Sequence, residues 1–263
     1  MTPILILGAG RMGGALIQGW RKAGAFTAAD LILRDPHPTE LARTIARDGA
    51  RLNPPDAVLA QAQTVLLSVK PQLWRETAAE VAGLLHPDAV IISVAAGVQL
   101  ADIAGAFGRK VARVMPTTAV AIGQGTTSIY ADDAQARARA HALFGPVGTV
   151  VDLEDEALMH AATAVSGSAP AYLYAFIEAL EAGGAAAGLP LEAAQRLARA
   201  TIAGAAALLA ESGEEPAELR RQVTSPGGTT QAALDVLMGE GGFAPLLRAA
   251  VAAAVRRSKE LGA

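Results

Sequence analysis

The sequence of 263 residues contains no cysteine, only four lysines and few aromatic residues. Without cysteine the chain can form no disulfide, no iron–sulfur cluster and no thiol nucleophile. No apolar run reaches the ~18 residues that a membrane-spanning helix needs, and the first residues lack the basic and apolar regions of a signal peptide. A net charge of −3 gives no general footprint for nucleic acid. These absences predict a soluble cytoplasmic globular protein that binds neither membranes nor nucleic acid.

A four-residue apolar run followed by a glycine-rich turn opens the chain. The turn places Gly8, Gly10 and Gly13 at the GxGxxG spacing and leads into a helical pattern. In dinucleotide-binding folds the first glycine permits the tight turn, the second lets a pyrophosphate approach the backbone, and the third lets helix and strand pack closely. The phosphates then lie on the helix N-terminus. The motif predicts a dinucleotide site that includes Arg11 and Met12; the alternative is a glycine turn without a ligand.

Short apolar runs alternate with helical patterns as far as residue 154. The predicted helices that follow the first one cover residues 39–48 and 74–85, and the predicted strands after the first cover residues 31–33, 64–69, 89–94, 110–114, 126–130 and 149–151. Such alternation predicts an α/β fold with a mostly parallel, doubly wound sheet of the Rossmann type. We expect it to form a dinucleotide-binding domain of residues 1–154.

Three strand ends are candidate walls of one ligand crevice, because ligands bind at the carboxyl ends of the strands in such sheets. Their residues are Ser68, Val69, Lys70 and Pro71, then Ala95, Ala96 and Gly97, then Met115, Pro116, Thr117 and Thr118. Each stretch alone is equally well explained as a turn that ends a strand.

The end of the second strand bears on the choice of cofactor. An acidic residue there accepts from the ribose 2′-hydroxyl and favours NAD, whereas an arginine accommodates the 2′-phosphate of NADP. The chain has both Arg34 and Asp35 at this point. The residues alone leave the choice open.

From residue 155 onward the pattern is helical only, which predicts a second domain of residues 155–263. The predicted helices cover residues 155–184, 191–211, 216–222, 230–238 and 243–261. Helices this rich in apolar residues must pack on several sides, and one small domain cannot cover them all. We therefore expect a homodimer formed through this half of the chain.

The first of these helices contains Ser166, Gly167, Ser168 and Pro170. Glycine and proline inside a helix cost about 1 and 3 kcal/mol relative to alanine, and Pro170 would leave the carbonyl of Ser166 without a partner. Two hydroxyls and a free carbonyl beside each other favour a site between the two domains. The alternative is a kink that only helps the helix to pack.

The second half has no lysine before Lys259 and a single histidine, His160. Reduction of a ketone usually needs a positioned proton donor such as His, Lys or Tyr. Tyr172 and Tyr174 could serve, but their spacing suits helix packing equally well. An imine needs less help, because its nitrogen can carry its own proton. The scarcity of acids therefore favours reduction of a C=N bond.

A turn rich in glycine and hydroxyl residues precedes the fourth predicted helix of this half. It comprises Ser225, Pro226, Gly227, Gly228, Thr229 and Thr230. Hydroxyl residues can cap a helix, and the exposed amides of such a start suit a carboxylate. An ordinary turn and helix cap is the alternative.

Together these stretches resemble the Δ1-pyrroline-5-carboxylate reductases, which make L-proline. The stretches that carry the resemblance are GAGRMG at residues 8–13, VKP at 69–71, SVAAGV at 93–98, MP at 115–116, VSGSAPAY at 165–172 and TSPGGTT at 224–230. They cover the chain in the family's order. The resemblance implies a Rossmann-type domain followed by a helical domain that forms an interlocked dimer, often assembled further into rings. It also implies metal-free reduction of the cyclic imino acid by NAD(P)H, usually NADPH, with NADH as the alternative.

The resemblance also implies roles for individual residues. The substrate carboxylate would be held by Ser225, Gly227, Gly228, Thr229 and Thr230, with Ser166 also on the substrate side. Thr230 would lie near the imine nitrogen as the catalytic residue, and the three strand ends, as far as Thr117, would line the nicotinamide side.

Two positions depart from the family's pattern. The family usually has Asn where Thr117 stands, and threonine lacks the amide with which that Asn would contact the cofactor. Arg11 replaces the usual Asn or Gln and is either a phosphate contact or a solvated charge.

Two rival functions remain. A two-domain dehydrogenase of the 3-hydroxyacid type has the same architecture but uses a catalytic lysine on the interdomain helix, where this sequence has none. A nonenzymatic regulator that kept the fold would bind the dinucleotide without turnover.

Overall fold

The computed structural model describes residues 1–260. Its strands are β1 (Ile4–Leu7), β2 (Leu31–Arg34), β3 (Arg51–Leu52), β4 (Thr64–Leu67), β5 (Val90–Ser93), β6 (Val111–Pro116), β7 (Gly125–Tyr130) and β8 (Gly148–Asp152). Its α-helices are α1 (Arg11–Ala23), α2 (Glu40–Arg47), α3 (Trp74–Val81), α4 (Leu100–Phe107), α5 (Ala134–Phe144), α6 (Met159–Ala162), α7 (Ala169–Ala186), α8 (Leu191–Ser212), α9 (Pro216–Gln222), α10 (Thr229–Leu237) and α11 (Phe243–Glu260).

The chain divides into two compact units. The first comprises Met1–Gly167 together with residues 254–260, and the second comprises Ser168–Ala253. The domain boundary predicted between residues 154 and 155 stays a prediction.

The first unit is built on an eight-stranded sheet with the order β3-β2-β1-β4-β5-β6-β7-β8. All neighbouring strands are parallel except β6 and β7, which are antiparallel. The central strands are buried on both sides, as expected for a parallel sheet covered by helices on both faces. The doubly wound α/β fold predicted from the sequence is confirmed.

Two apolar layers cover the faces of this sheet. Ile4 and Ile6 of β1 belong to the layer formed with α1, α2 and α5, whereas Leu5 and Leu7 belong to the layer formed with α3 and α4. Successive residues of a strand point to opposite faces, so one apolar strand contributes to both layers. Within the first layer, Trp20 ties α1 to α5, because its indole Nε1 donates to the carbonyl oxygen of Leu143 at 2.7 Å.

The predicted strands and most predicted helices occur at nearly the predicted bounds. Three elements, β3, α4 and α5, have no counterpart among the predicted ones. The predicted end of the last helix at Leu261 lies outside the described residues.

The prediction of one continuous helix over residues 155–184 is wrong, because the helix is interrupted. The chain forms a short 3₁₀ turn, then α6, then a π-helical segment over Thr163–Gly167, and only then α7. Pro170 therefore lies in the first turn of α7, after Ser168 at the N-cap. Proline is tolerated there because the first amides of a helix have no intrahelical partner, so it does not interrupt a helix interior.

The second unit contains α7 to α10 and the beginning of α11. Within it, Arg199 of α8 donates to the buried carboxylate of Glu181 of α7 at 2.8 Å, and Phe176 and Phe243 meet edge to face. Large apolar side chains nevertheless remain open to solvent in the single chain, with Leu197 57% and Val236 76% exposed. Over residues 1–260, no helix is both long enough and apolar enough to cross a membrane.

Candidate functional site

The glycine turn between β1 and α1 has a backbone that requires glycine. Gly8 has a φ of +89°, which side chains rarely adopt, and a Cβ at Gly8 would lie 3.1 Å from the carbonyl oxygen of Ser68. A Cβ at Gly13 would collide with the carbonyl oxygen of Gly8. The start of α1 thus packs directly on the turn, as expected for a dinucleotide-binding loop.

The start of α1 is open. Gly10 is its N-cap and no side chain caps it, while a Cβ at Gly10 would meet nothing within 4 Å. The first amides of a helix lack intrahelical partners and carry the positive end of its dipole. Open space above uncapped amides fits the pyrophosphate of a dinucleotide. Arg11 is exposed at the first helical position, and Met12 packs partly buried on the apolar layer below.

Asp35 holds the glycine turn in place. Its buried carboxylate accepts from the backbone N–H of Ala9 at 2.7 Å and from that of His37 at 2.8 Å. The side chain of Asn53 closes the arrangement, accepting from the Asp35 N–H and donating to its carbonyl oxygen. Sequence reasoning missed this bracing role, because Asn53 is remote in the chain from the turn it supports.

Arg34, the other candidate for contact with the cofactor ribose, has a different environment. Its guanidinium Nη2 lies 3.2 Å from Asp56 Oδ1, and both side chains are substantially exposed. An exposed ion pair contributes only about 0–1 kcal/mol. Arg34 can therefore exchange Asp56 for another anion at little cost, whereas each oxygen of the buried Asp35 carboxylate already accepts one backbone N–H.

The structure brings the three predicted strand ends to one edge of the sheet, because β4, β5 and β6 are parallel neighbours. At the end of β4, Ser68 Oγ donates to the carbonyl oxygen of Gly8 at 2.7 Å, and Val69 packs against the same glycine. Lys70 is exposed, and Pro71 begins a 3₁₀ turn. This strand end thus forms one side of the glycine turn.

The loop after β5 leads directly into α4. The Ala95 N–H donates to Ser93 Oγ at 3.2 Å. Ala95 and Gly97 are buried, while Ala96 is half-buried. The loop is therefore fixed at its β5 end by a side chain of the strand itself.

The third strand end lies at the antiparallel pair of β6 and β7. Pro116 ends β6, and a Cβ at Gly167 in the π-helical segment would lie 3.7 Å from Met115 Cγ. Thr117 is buried, donates its N–H to the Thr126 carbonyl oxygen and accepts from the Thr126 N–H at Oγ1. Its side-chain oxygen serves the sheet, so Thr117 does not reproduce the amide that the family usually has there.

Both hydroxyls of the π-helical region are bonded to the carbonyl four residues earlier. Ser166 Oγ donates to Ala162 O at 2.8 Å, and Thr163 Oγ1 donates to Met159 O at 2.7 Å. Single π-turns within helices are frequent at functional sites. The lone pairs of Ser166 can still accept a hydrogen bond, so its predicted role on the substrate side stays a prediction.

In the second unit, the turn before α10 presents a second open helix start. Gly227 has a φ of +68°, and the Gly228 N–H donates to Ser225 O at 3.0 Å, which is the pattern of a type II turn with Pro226 in its second position. Gly228 is the N-cap of α10 without any side-chain cap. Ser225 Oγ lies against Gly228, since a Cβ there would approach it to 2.5 Å.

Thr229 and Thr230 occupy the first two positions of α10 and are exposed. Their backbone amides have no intrahelical partner. The side chains of Ser225 and Thr230 add two hydroxyls within the six residues 225–230 of the chain. A carboxylate can be held by such amides and hydroxyls without a charged side chain. Thr224, directly before the turn, is bonded back to α9, because its Oγ1 donates to the Arg220 carbonyl oxygen.

No group of three or more His, Cys, Asp or Glu side chains suitable for a metal ion occurs within residues 1–260. The open helix starts at Gly10 and Gly228 instead offer backbone amides, which bind anions.

Comparisons with known proteins agree with this arrangement. Residues 156–261 match the family model for pyrroline-5-carboxylate reductase dimerisation, and residues 3–97 match the model for NADP oxidoreductase, coenzyme F420-dependent. The chain is 39% identical to pyrroline-5-carboxylate reductase of Pseudomonas aeruginosa, with 99% of this chain and 97% of that protein covered.

Two solved structures share the whole fold. The pyrroline-5-carboxylate reductase of Coxiella burnetii superposes with a TM-score of 0.91 at 29% identity, covering 100% of this chain and 99% of that one. The pyrroline carboxylate reductase of Plasmodium falciparum, solved with NADP bound, has a TM-score of 0.85 at 25% identity and coverages of 100% and 98%.

Proposed function

Because the chain belongs to the pyrroline-5-carboxylate reductase family, we propose that it reduces 1-pyrroline-5-carboxylate to L-proline with NAD(P)H. The observation that carries this proposal is the 39% identity with the P. aeruginosa reductase over nearly the full length of both chains. The uncapped helix starts at Gly10 and Gly228 support it, since the proposed cofactor and substrate are both anions.

The cofactor is held in the first unit. The amides at the start of α1, beside Gly10, bind the pyrophosphate, and Arg11 is available to one of its phosphates. The three strand ends that finish with Pro71, Gly97 and Thr117 would hold the nicotinamide end. When bound, the reduced nicotinamide supplies the hydride.

NADPH is the preferred cofactor in this proposal. The buried carboxylate of Asp35 already accepts the N–H groups of Ala9 and His37, so its first role is to brace the glycine turn. To meet a 2′-phosphate, Arg34 leaves the exposed carboxylate of Asp56 and a long hydrogen bond of 3.5 Å to the Pro54 carbonyl oxygen. Arginine binds phosphate with directed, charge-assisted hydrogen bonds. The two environments therefore favour the phosphorylated dinucleotide.

The substrate carboxylate is held in the second unit by Ser225 and by the amides of the turn and of the first positions of α10. This fixes the orientation of the ring, which converts a collision into an oriented encounter. The Thr230 hydroxyl then makes a hydrogen bond to the ring nitrogen as it changes from imine to amine.

The scarcity of side chains that usually protonate a ketone supports an imine substrate. The second unit, Ser168–Ala253, contains neither lysine nor histidine, which leaves Tyr172 and Tyr174 as its candidate donors. A protonated imine accepts hydride without a further proton donor, whereas a ketone needs one. A catalytic lysine of the 3-hydroxyacid dehydrogenase type has no counterpart here.

The helical half also carries self-association. It matches a dimerisation model, and side chains such as Leu197 and Val236 are exposed in the single chain. The protein is therefore a homodimer or a larger homo-oligomer, and assembly into a ring stays a prediction. The cytoplasmic location expected from the sequence also stays a prediction.

One assay tests the function. Purified protein, dialysed exhaustively against a chelator, should oxidise NADPH when 1-pyrroline-5-carboxylate is added. This rate should exceed the rate of NADH oxidation with the same substrate and the rate of NADP⁺ reduction with a panel of 3-hydroxyacids. Dinucleotide binding without turnover of any substrate would overturn the proposal and favour the regulator. Turnover of a 3-hydroxyacid instead would favour the dehydrogenase.

A further inference from the structure

A partly buried ion pair joins β6 to the segment that follows β8. Arg113 is the third residue of β6, and its side chain is 4% exposed. Its Nη1 donates to Glu156 Oε1 at 2.6 Å. Glu156 lies beyond β8, at the beginning of the 3₁₀ turn that precedes α6, so the pair joins the sheet to a segment far along the chain.

The same carboxylate oxygen also caps α4. The backbone N–H of Leu100, the first residue of α4, donates to Glu156 Oε1 at 2.6 Å. The N-cap residue, Gln99, makes no side-chain hydrogen bond of its own to the helix. A carboxylate at a helix N-terminus is favourable because it satisfies a free amide and faces the positive end of the dipole. Glu156 therefore supplies from a distance the cap that the local sequence lacks.

The position of this cap matters because of what precedes it. Residues 94–99 connect β5 to α4, and the proposed nicotinamide site includes Ala95, Ala96 and Gly97 of this connection. The Ala95 N–H is fixed by Ser93 at one end of the loop, and the Leu100 N–H is fixed by Glu156 at the other. Both ends of the loop are thus held by side chains that do not belong to it.

We infer that Glu156 is a positioning residue for the nicotinamide site, holding the Ala95–Gly97 loop through the start of α4, with Arg113 holding the carboxylate in place. This inference rests on the proposed function, since it takes the loop as one wall of the cofactor site. A misplacement of about 1 Å can cost on the order of a hundredfold in rate. Loss of the cap should therefore impair hydride transfer more than it impairs binding of the adenosine half at the glycine turn.

Two variants of the full-length protein test this. Glu156→Ala removes both hydrogen bonds, whereas Glu156→Gln keeps an oxygen acceptor and loses only the charge. In the cofactor-free protein, amide hydrogen exchange over residues 95–103 should become at least tenfold faster in Glu156→Ala and less so in Glu156→Gln, while exchange over α1 stays unchanged. This readout requires no catalysis.

Kinetics supply the second readout. The kcat with NADPH should fall about ten- to a hundredfold in Glu156→Ala and be partly restored in Glu156→Gln. The Kd for 2′-phospho-ADP-ribose, which lacks the nicotinamide, should stay within about twofold of wild type. Glu156→Ala leaves Arg113 buried without its partner and could fail to fold for that reason. In that case Glu156→Gln alone tests the inference, and we expect faster exchange at Leu100 and a lower kcat in that variant.

Asp133 provides a matched control in the same unit. Its Oδ1 caps α5 by accepting from the Ala136 N–H, and its Oδ2 lies 3.0 Å from Lys110 Nζ. Asp133→Ala should lower stability without a comparable change in kcat. Three results in the Glu156 variants would each overturn the inference. They are unchanged exchange over residues 95–103, an unchanged kcat per folded site, and a fall in affinity for 2′-phospho-ADP-ribose as large as the fall in kcat. An inactive wild-type protein would instead refute the proposed function, and the exchange data would still decide whether Glu156 holds the loop.

Discussion

Thr230 is the residue on which the proposed reaction depends most directly, and its exposed position allows a clean substitution. Thr230→Val keeps the shape of the side chain and removes the hydroxyl. A neutral hydrogen bond contributes about 0.5–1.5 kcal/mol, so kcat should fall roughly three- to tenfold if the hydroxyl only makes that bond to the ring nitrogen. A fall of about a hundredfold or more would indicate that it also relays a proton. Measurement of kcat at saturating NADPH and several pH values separates these roles.

Thr224→Val is the matched control for this variant. The hydroxyl of Thr224 donates to the backbone carbonyl of Arg220 in α9. The substitution should therefore leave kcat nearly unchanged. Equal effects of the two substitutions would mean that the turn as a whole had been disturbed. An unchanged kcat and KM in Thr230→Val would show that the Thr230 hydroxyl takes no part in the reaction.

Arg34 should determine the preference for the phosphorylated cofactor. Hydrogen bonds to charged groups are worth about 1.5–3 kcal/mol, so Arg34→Ala should raise the KM for NADPH roughly ten- to a hundredfold and that for NADH much less. Asp56→Asn, which frees Arg34 from its ion pair, should leave the KM for NADPH unchanged or lower it. Equal changes for both cofactors in Arg34→Ala would show that Arg34 only faces solvent.

Asp35 should behave in the opposite way, because it braces the turn and does not select the cofactor. Asp35→Ala leaves the buried N–H of Ala9 without its acceptor, and a lost acceptor costs about 1–3 kcal/mol of the free energy of unfolding. Affinities for NADPH and NADH should fall by similar factors, measured by fluorescence titration beside chemical denaturation. A selective loss of NADH affinity would instead assign Asp35 to the ribose hydroxyl.

At the scale of the elements, His160 should make the attachment of the last helix sensitive to pH. Its Nδ1 lies 2.9 Å from Ser258 Oγ near the end of α11. Desolvation, then the charges of Arg113 and Lys259, lower the pKa of His160 from its ordinary value of 6.5, although Glu156 opposes them. The unfolded state then binds more protons, so this contribution to stability is present above pH 6.5 and is lost as the pH falls through the lowered pKa.

The measurement is thermal unfolding between pH 8 and pH 5, with hydrogen exchange over the described end of α11. Protection of the helix end should decrease below about pH 6.5 in the wild type, given the ordinary histidine value. His160→Gln cannot titrate in this range and should show a weaker pH dependence. The same pH slope in both proteins would assign the effect to other groups.

Elements with strong local signals are those that the sequence predicts well. Buried strands such as β1 read as continuous apolar runs, and the glycine turn has a fixed spacing. In contrast, α5 has alanines on its buried side and charges between them, which gives little apolar contrast, and β3 has only two residues. The bond from Leu100 to Glu156 spans 56 positions of the chain, so no local sequence pattern indicates it. The bonds between Asn53 and Asp35 span 18 positions and are equally invisible to local patterns.

At the scale of the whole molecule, the exposed apolar side chains of the helical unit should be buried between subunits. Leu246, which is 62% exposed in the single chain, offers a direct test. A charge at a buried interface position costs several kcal/mol, so Leu246→Glu should shift the protein toward monomer in sedimentation experiments. Ile122→Glu changes a similarly exposed residue of the sheet unit and should leave the oligomer intact. Dissociation by Ile122→Glu alone would place the interface on the other unit.

The return of the chain's end to the first unit has a consequence for biosynthesis. The ribosome makes the sheet and His160 first, and then needs roughly 4 to 17 seconds for the stretch Ser168–Ala253 at about 5–20 residues per second. Throughout that interval the nascent first unit lacks the helix end that bears Ser258, the hydrogen-bond partner of His160. A nonsense codon shortly before Ser258 would therefore leave a chain with a whole Rossmann sheet whose first unit is still incomplete.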